Sequence, residues 1–456
     1  MKIAPILVGS LMILLTACIK QNAGIFLTLV PPDEVTDHVP LDIRAGIVND
    51  KNSEIRVDLK FYLNNEKSES LIFTSSEIIG ARSSKCVKFD FTTAGHTGYN
   101  KIILVVNEGL KKYRLTKEIK ILSSETRSDQ TIDGAWVGLY HWSEVEGKHW
   151  NNDIKKLTDD QWREMIRSMH RLNMNIIVVQ EVFRNQEYAG SNNIEADDYK
   201  GKAYYPSALY NERMPIRAHD PVEAILTEAD KQGMNVFLGV GLFAWFDFTT
   251  SSLEWHKNVS RELWERYGHH NSFYGFYVSE ESGGSLDNWE KEEKMRIKRK
   301  QEIINFFKEF KVWCNTFAPS KPIMLATNSM GVPAAAEVYP ELLKNLDILC
   351  PFGFSRMPEG DLSGEEAANL LQTYCDKAGS HLWFDLEAFL FNEDGSLYPR
   401  PVEQIIGDLT HFKNFEKTLC YQYPGVFDDP ESSLRVGEPA TQKLFSDYRQ
   451  YILKHQ

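Results

Sequence analysis

The sequence predicts a two-part fold, an N-terminal β-sandwich of immunoglobulin-like size followed by a C-terminal (β/α)8 barrel. Three observations predict it. Residues 24–122 read as short strands at close spacing, with Asn, Asp, Gly and Ser between them. A polar stretch at 123–130 makes a linker, and from 131 to 456 the rhythm changes to apolar strands alternating with long helical patterns. Eight strand candidates lie in this second part, each followed by helix, which is the count of a closed parallel barrel. With 456 residues, 42% of them apolar, the chain can bury more than one core.

In the first part, "GIFLTLV", "DIRAGIVN", "IRVDLKFYLN", "KCVKFDFTT", "KIILVVNEG" and "YRLTKEIKIL" follow one another, and "IRVDLKFYL" alternates apolar with polar residues. Nothing in them looks catalytic, and a spacer or a sugar-binding module fits. The second part begins with "DGAWVGLY" at 133–140. A helix then opens at Thr158, with Gln161 at capping-box spacing, and Trp162, Met165, Ile166, Met169 and Leu172 fall on one face. "NIIVVQEVF" at 175–183 is an unbroken apolar run of the kind buried on both sides of a parallel sheet. Asp220 and Pro221 suit the cap and first position of a helix that Gly233 ends before "NVFLGVGLF" at 235–243. A helix over 253–267 leads to "SFYGFYVSEES" at 272–282, and a long helical region, 286–317, leads to "PIMLATN" at 322–328. The sixth strand is "DILCPFGF" at 347–354 and the seventh "HLWFDLEAF" at 381–389, after a helix between Ser363 and Gly379. A helix over 402–417 delivers "TLCYQYPGVF" at 418–427, and a last helix runs through Tyr448.

The net charge of −13 argues against a general nucleic-acid binder, which needs a basic face. The first residues, "MKIAPILVGSLMILLTACIK", carry Lys2 and an apolar run too short to span a bilayer comfortably, as in an export signal. The segment Leu15-Thr16-Ala17-Cys18 resembles a bacterial lipoprotein box. That resemblance implies a signal peptide over 1–18, a lipidated Cys18 as the first mature residue, and a lipid anchor holding the protein to the cell envelope, at the outer membrane or cell surface. The other cysteines, Cys86, Cys314, Cys350, Cys375 and Cys420, show neither a disulfide framework nor metal spacing. No HExxH, P-loop, G-x-G-x-x-G or nucleophile-elbow motif is present, and His269-His270 reads as surface loop, so no metal or cofactor is expected.

Chemistry in such barrels sits at the C-terminal strand ends. These ends supply His141 and Trp142, Gln180 and Glu181, Trp245, Glu280 and Glu281, Asn328, Asp385 and Glu387, and Tyr423. The seventh strand separates its faces. Phe384, Leu386 and Ala388 point one way, while Trp383, Asp385 and Glu387 point into the barrel mouth. Inward carboxylates are costly unless functional or paired, for example with Arg356 or Arg400. The fourth strand is apolar on both faces; register favours Glu280 as its inward acid, with Glu281 in the loop. Paired acids suit glycosidic-bond hydrolysis, which needs one carboxyl to protonate the leaving oxygen and another beside the oxocarbenium-like centre.

Acids on strands four and seven resemble the clan A glycoside hydrolases. That resemblance implies Glu280 as acid/base and Glu387 as nucleophile, with retention of configuration. Ser279 stands where the clan commonly has Asn. Asp385, His141, Trp142, Gln180, Glu181, Trp245, Asn328 and Tyr423 are the expected substrate-binding residues, and an oligo- or polysaccharide the expected partner. The region 133–451, through "GAWVGLYHW", "NMNIIVVQE" and "FYGFYVSEE", also resembles a family of lipoproteins of unknown function with a glycosidase-like barrel. A non-catalytic glycan-binding lipoprotein on the same barrel is the alternative.

Overall fold

A computed structural model describes residues 24–141, 145–149, 153–184, 201–210, 212–241 and 246–455. The expected signal peptide with Cys18, and the expected sugar-binding Trp142 and Trp245, lie outside the described residues.

The N-terminal region is sheet-rich. Its strands are β1 (Ile25–Val30), β2 (Glu34–Thr36), β3 (Leu41–Asn49), β4 (Ile55–Leu63), β5 (Leu71–Ile79), β6 (Ser83–Phe91), β7 (Gly98–Glu108) and β8 (Lys111–Leu122). They form a three-stranded sheet, β1-β3-β6, and a five-stranded sheet, β2-β8-β7-β4-β5. In β4 the alternation works as it should: Val57, Leu59 and Phe61 are buried while Arg56, Asp58 and Lys60 face solvent. Those three join Leu27, Ile43 and Val87 of the other sheet in one shared core.

Beyond residue 131 the sheet is parallel. Its strands are β9 (Gly134–Val137), β10 (Ile176–Val179), β13 (Asn235–Gly239), β14 (Phe273–Ser282), β15 (Ile323–Thr327), β16 (Ile348–Leu349), β17 (His381–Leu382), β18 (Phe384–Glu387) and β21 (Thr418–Tyr421). Two small hairpins, β11 (Phe183–Arg184) with β12 (Lys202–Ala203) and β19 (Phe389–Phe391) with β20 (Leu397–Pro399), stand outside it. The order β17-β16-β15-β14-β13-β10-β9-β21-β18 brings its two end strands to either side of Trp383, so nine strands make a nearly closed barrel. The helices are α1 (Asp159–His170), α2 (Pro221–Gln232), α3 (Thr250–Tyr267), α4 (Glu293–Asn315), α5 (Tyr339–Leu342), α6 (Gly364–Ala378), α7 (Val402–His411) and α8 (Pro439–His455).

Local chemistry explains their ends. Thr158 and Gln161 close the capping box of α1, Asp220 caps α2, and Ser363 with Glu366 closes a second box on α6. Two helices are shorter than the sequence suggests. Helix α4 begins only at Glu293, because Leu286, Asn288 and Trp289 adopt positive φ. Helix α7 stops at His411, and Phe412 and Phe415 turn inward against Phe384 instead.

The barrel has two apolar layers. Trp136, Val178, Phe237, Tyr277, Met324, Cys350, Trp383 and Leu419 fill its interior. Val137, Ile177, Leu238, Phe276, Leu325 and Leu386 face the helices. Val30, at the end of β1, joins the interior cluster from below, and the Tyr274 hydroxyl donates to the Leu29 carbonyl at 2.6 Å. Charge reinforces this junction. Arg44 is buried between Asp42 at 2.6 Å and the barrel's Asp347 at 2.8 Å, and Asp347 also binds Lys311.

Candidate active site

The C-terminal ends of the strands open onto a cavity of about 190 Å³. Carboxylates reach it from three directions: Glu281 from β14, Asp385 and Glu387 from β18, and Glu146 from the segment after β9. Trp136, Tyr277, Phe352, Phe389, Phe391 and Tyr421 supply aromatic walls. Aromatic faces around a few polar groups suit a ring with hydroxyls at its rim.

Strand β18 lies as its alternation indicates. Trp383 enters the barrel interior, Phe384, Leu386 and Ala388 join the outer layer, and Asp385 and Glu387 face the cavity. Glu387 does not stand alone. The Arg356 Nε donates to its two carboxylate oxygens at 2.8 and 3.0 Å, and a terminal nitrogen of the same guanidinium lies 2.8 Å from Oε1. This is a charge-assisted hydrogen-bonded ion pair, stronger than a neutral hydrogen bond. Arg356 is delivered by a short helical turn that starts from Gly353 at φ 86°, a conformation glycine adopts without strain. Arg400 donates to the Glu387 carbonyl at 3.2 Å and to Asp408 at 2.7 Å, which fixes the end of the strand.

Asp385 sits deeper. It is 5% exposed, and its Oδ1 has no hydrogen-bond partner among the described residues. Burial, then the neighbouring charges of Glu387 and Glu281, hold its carboxyl well above the usual range, with Arg356 opposing them. Asp385 is therefore held toward its protonated form, beside a Glu387 that is ion-paired with Arg356. Burial also pushes the Glu146 carboxyl up to about 7.

The fourth strand corrects the expectation. Register with β13 slips at its start, so that Val236 pairs with Phe273 but Phe237 with Gly275. Tyr274 is the extra residue, and it and Tyr277, three apart, both point into the barrel. The slip reverses the parity of the residues that follow, and the register with β15 shifts again between Val278 and Ser282. Ser279 and Glu281 follow Tyr277 into the cavity, Phe276 and Val278 join the outer layer, and Glu280 is fully buried. Glu280 does not line the cavity; Glu281 does. A glycine at 275 fits the slip, since a Cβ there would lie 2.5 Å from the Pro322 carbonyl oxygen.

Among the expected substrate-binding residues, Gln180 lines the cavity and accepts from the Tyr421 hydroxyl at 3.4 Å. Four others do not line it. Glu181 is fully buried in an ion pair with Arg184, and the Tyr204 hydroxyl donates to it at 3.4 Å. His141 is buried, and its carbonyl accepts from Arg184 at 3.3 Å. Asn328 spends its side-chain oxygen on the Met330 amide at 2.8 Å. Tyr423 packs into the outer layer, stacked on Phe427, and the cavity tyrosine is Tyr421. Glu146 and Tyr421 line the cavity without being expected there, and Glu281 does so from the end of β14 rather than from a loop. Period-two alternation in "TLCYQY" offered a signal for Tyr421; nothing periodic marks Glu146.

The fold has solved relatives. A protein from Bacteroides thetaiotaomicron provisionally assigned as an alpha-L-fucosidase is 15% identical over 73% of this chain and 96% of its own, with a TM-score of 0.50. The Bacteroides uniformis beta-glucuronidase is 11% identical over 93% of this chain but only 50% of its own, with a TM-score of 0.42. For a GH2 beta-galacturonidase from Eisenbergiella tayi the identity is 10%, the coverage 90% of this chain and 69% of its own, and the TM-score 0.40. These structural neighbours are glycoside hydrolases, and the first likeness shows a shared fold. Among curated proteins, no sequence matches this one. Residues 132–434, more than half of the chain, match the model of the Domain of unknown function (DUF4434), and the chain belongs to that family.

Proposed function

We propose that the protein hydrolyses glycosidic bonds in the cavity at the barrel mouth. In this reading the barrel has eight staves, with β17 and β18 one stave bent at Trp383, and the N-terminal sheets form an immunoglobulin-like spacer. The observation that carries the proposal is the convergence of Glu281, Asp385 and Glu387 on one aromatic-walled cavity, with Arg356 bound to Glu387. Hydrolysis needs an ionised carboxylate beside the anomeric carbon and a carboxyl group near the leaving oxygen. Glu387, paired with Arg356, takes the first role as nucleophile. Glu281, on a different strand of the cavity wall, takes the second as acid/base. Asp385, below them and protonated, donates a hydrogen bond to a sugar hydroxyl. The mechanism is retaining, by the resemblance of strands four and seven to clan A enzymes. Cys18 carries the lipid that tethers the enzyme to the cell envelope.

One observation favours the binding-protein alternative. The Arg356 ion pair on Glu387, together with an Asp385 whose carboxyl is held toward protonation, would equally suit a site that holds a glycan without cleaving it. The test is release of reducing ends from a panel of aryl glycosides and envelope polysaccharides, with chelator present and Glu387→Gln as the comparison. Turnover by the parent that the variant loses supports hydrolysis. Glycan binding without turnover, unchanged in Glu387→Gln, gives the binding protein.

A further inference from the structure

At the opposite end of the barrel from the cavity, the chain leaves α3, passes through Gly268 and enters β14 at Phe273. Two histidines sit in that connection, beside helix α2. One nitrogen of the buried His270, Nδ1, lies 2.7 Å from Asp230 Oδ2, and its Nε2 lies 3.1 Å from Glu223 Oε2. Both carboxylates are themselves fixed. Asp230 Oδ1 accepts from the Ser272 amide at 2.7 Å, and Glu223 Oε1 accepts from the Thr227 hydroxyl at 3.0 Å. The exposed His269 lies beside His270, with ring centroids 4.2 Å apart and planes inclined by 38°. One ligand atom from each of Glu223, His269 and His270 falls within a span of 4.8 Å.

We propose that Glu223, His269 and His270 bind a zinc ion, with Asp230 as the outer carboxylate that orients His270. The donor set of two imidazoles and one carboxylate is a zinc set, and water completes the tetrahedron. A tetrahedral zinc with bonds of about 2.1 Å holds its ligand atoms ~3.4 Å apart. The Glu223–His270 separation of 3.1 Å is already close to that edge. An imidazole that ligates through one nitrogen and gives the other to a carboxylate is the common outer arrangement of zinc sites, and Asp230 supplies it. Binding here would pin α2 to the start of β14, far from the cavity, so the ion is a fold element and not a reactant.

The test uses the untagged, metal-free full chain, titrated with zinc chloride by calorimetry. The expected result is about one equivalent of zinc bound and a raised thermal midpoint. His269→Ala and Glu223→Gln should each weaken binding at least tenfold, and Asp230→Asn by about 10–100-fold. No zinc uptake by the parent would overturn the proposal. So would uptake that changes less than tenfold in either His269→Ala or Glu223→Gln. His269 is exposed, so its substitution leaves the buried core untouched.

Discussion

Replacing Asp385 by Asn tests the protonation of the cavity without knowing the substrate. Asn matches the shape and charge of a protonated Asp, so the variant removes only the cost of keeping a proton on that carboxyl. The folded value is raised, because the group is 5% exposed and faces Glu387 and Glu281, while Arg356 is already spent on Glu387. An unfolded Asp titrates near 3.9. A raised folded value means that the contribution of Asp385 to stability is greatest below that pH and is lost as pH rises towards the folded value. The loss runs at about 1.4 kcal/mol per pH unit. Asp385→Asn escapes it. The stability of the variant relative to the parent should therefore be flat below pH ~4 and grow above it, by up to about 1.4 kcal/mol per unit, until the pH reaches the folded value. Denaturant unfolding of both proteins at four or five pH values between 4 and 7 measures this. A difference independent of pH would refute the reasoning, and a parent that gains on the variant would show Asp385 ionised and paired.

Neighbouring positions give sharper contrasts. Glu281→Gln should lower kcat on any cleaved glycoside by about 10²–10⁴-fold, the usual worth of a general acid, while Glu280→Gln should keep kcat within about tenfold and lower stability instead. Loss of activity in Glu280→Gln alone would put the parity of β14 in error. At the domain junction, Arg44→Met leaves Asp42 and Asp347 buried without their shared partner and should cost about 3–5 kcal/mol in denaturant unfolding. A change below about 1 kcal/mol would mean that Lys311 and water satisfy Asp347 alone.

Much of the site was legible in the sequence where the chain keeps a clean period. On β18 the order Trp383, Phe384, Asp385, Leu386, Glu387 assigns each side chain to a face, and the structure keeps every assignment. Strand β14 failed for one reason. Both of its faces are apolar, so a one-residue slip beside Gly275 leaves no trace in the pattern, yet Glu281 and not Glu280 then lines the cavity. Glu181 pairs with Arg184, three residues on, in the separate two-stranded sheet of β11 and β12, a partner that no strand periodicity marks. The place of Arg356 on the cavity depends on the turn at Gly353, which no periodicity encodes.

The most direct test of the proposed pair is azide rescue of Glu387→Ala on a glycoside that the parent cleaves. Removing the nucleophile leaves space beside the anomeric carbon, and azide can attack there while Glu281 still protonates the leaving group. The account predicts that azide restores turnover and that the product is a glycosyl azide of inverted anomeric configuration, read by proton NMR. Formation of that inverted azide by Glu281→Ala instead, or full hydrolytic activity in Glu387→Ala without azide, would contradict it.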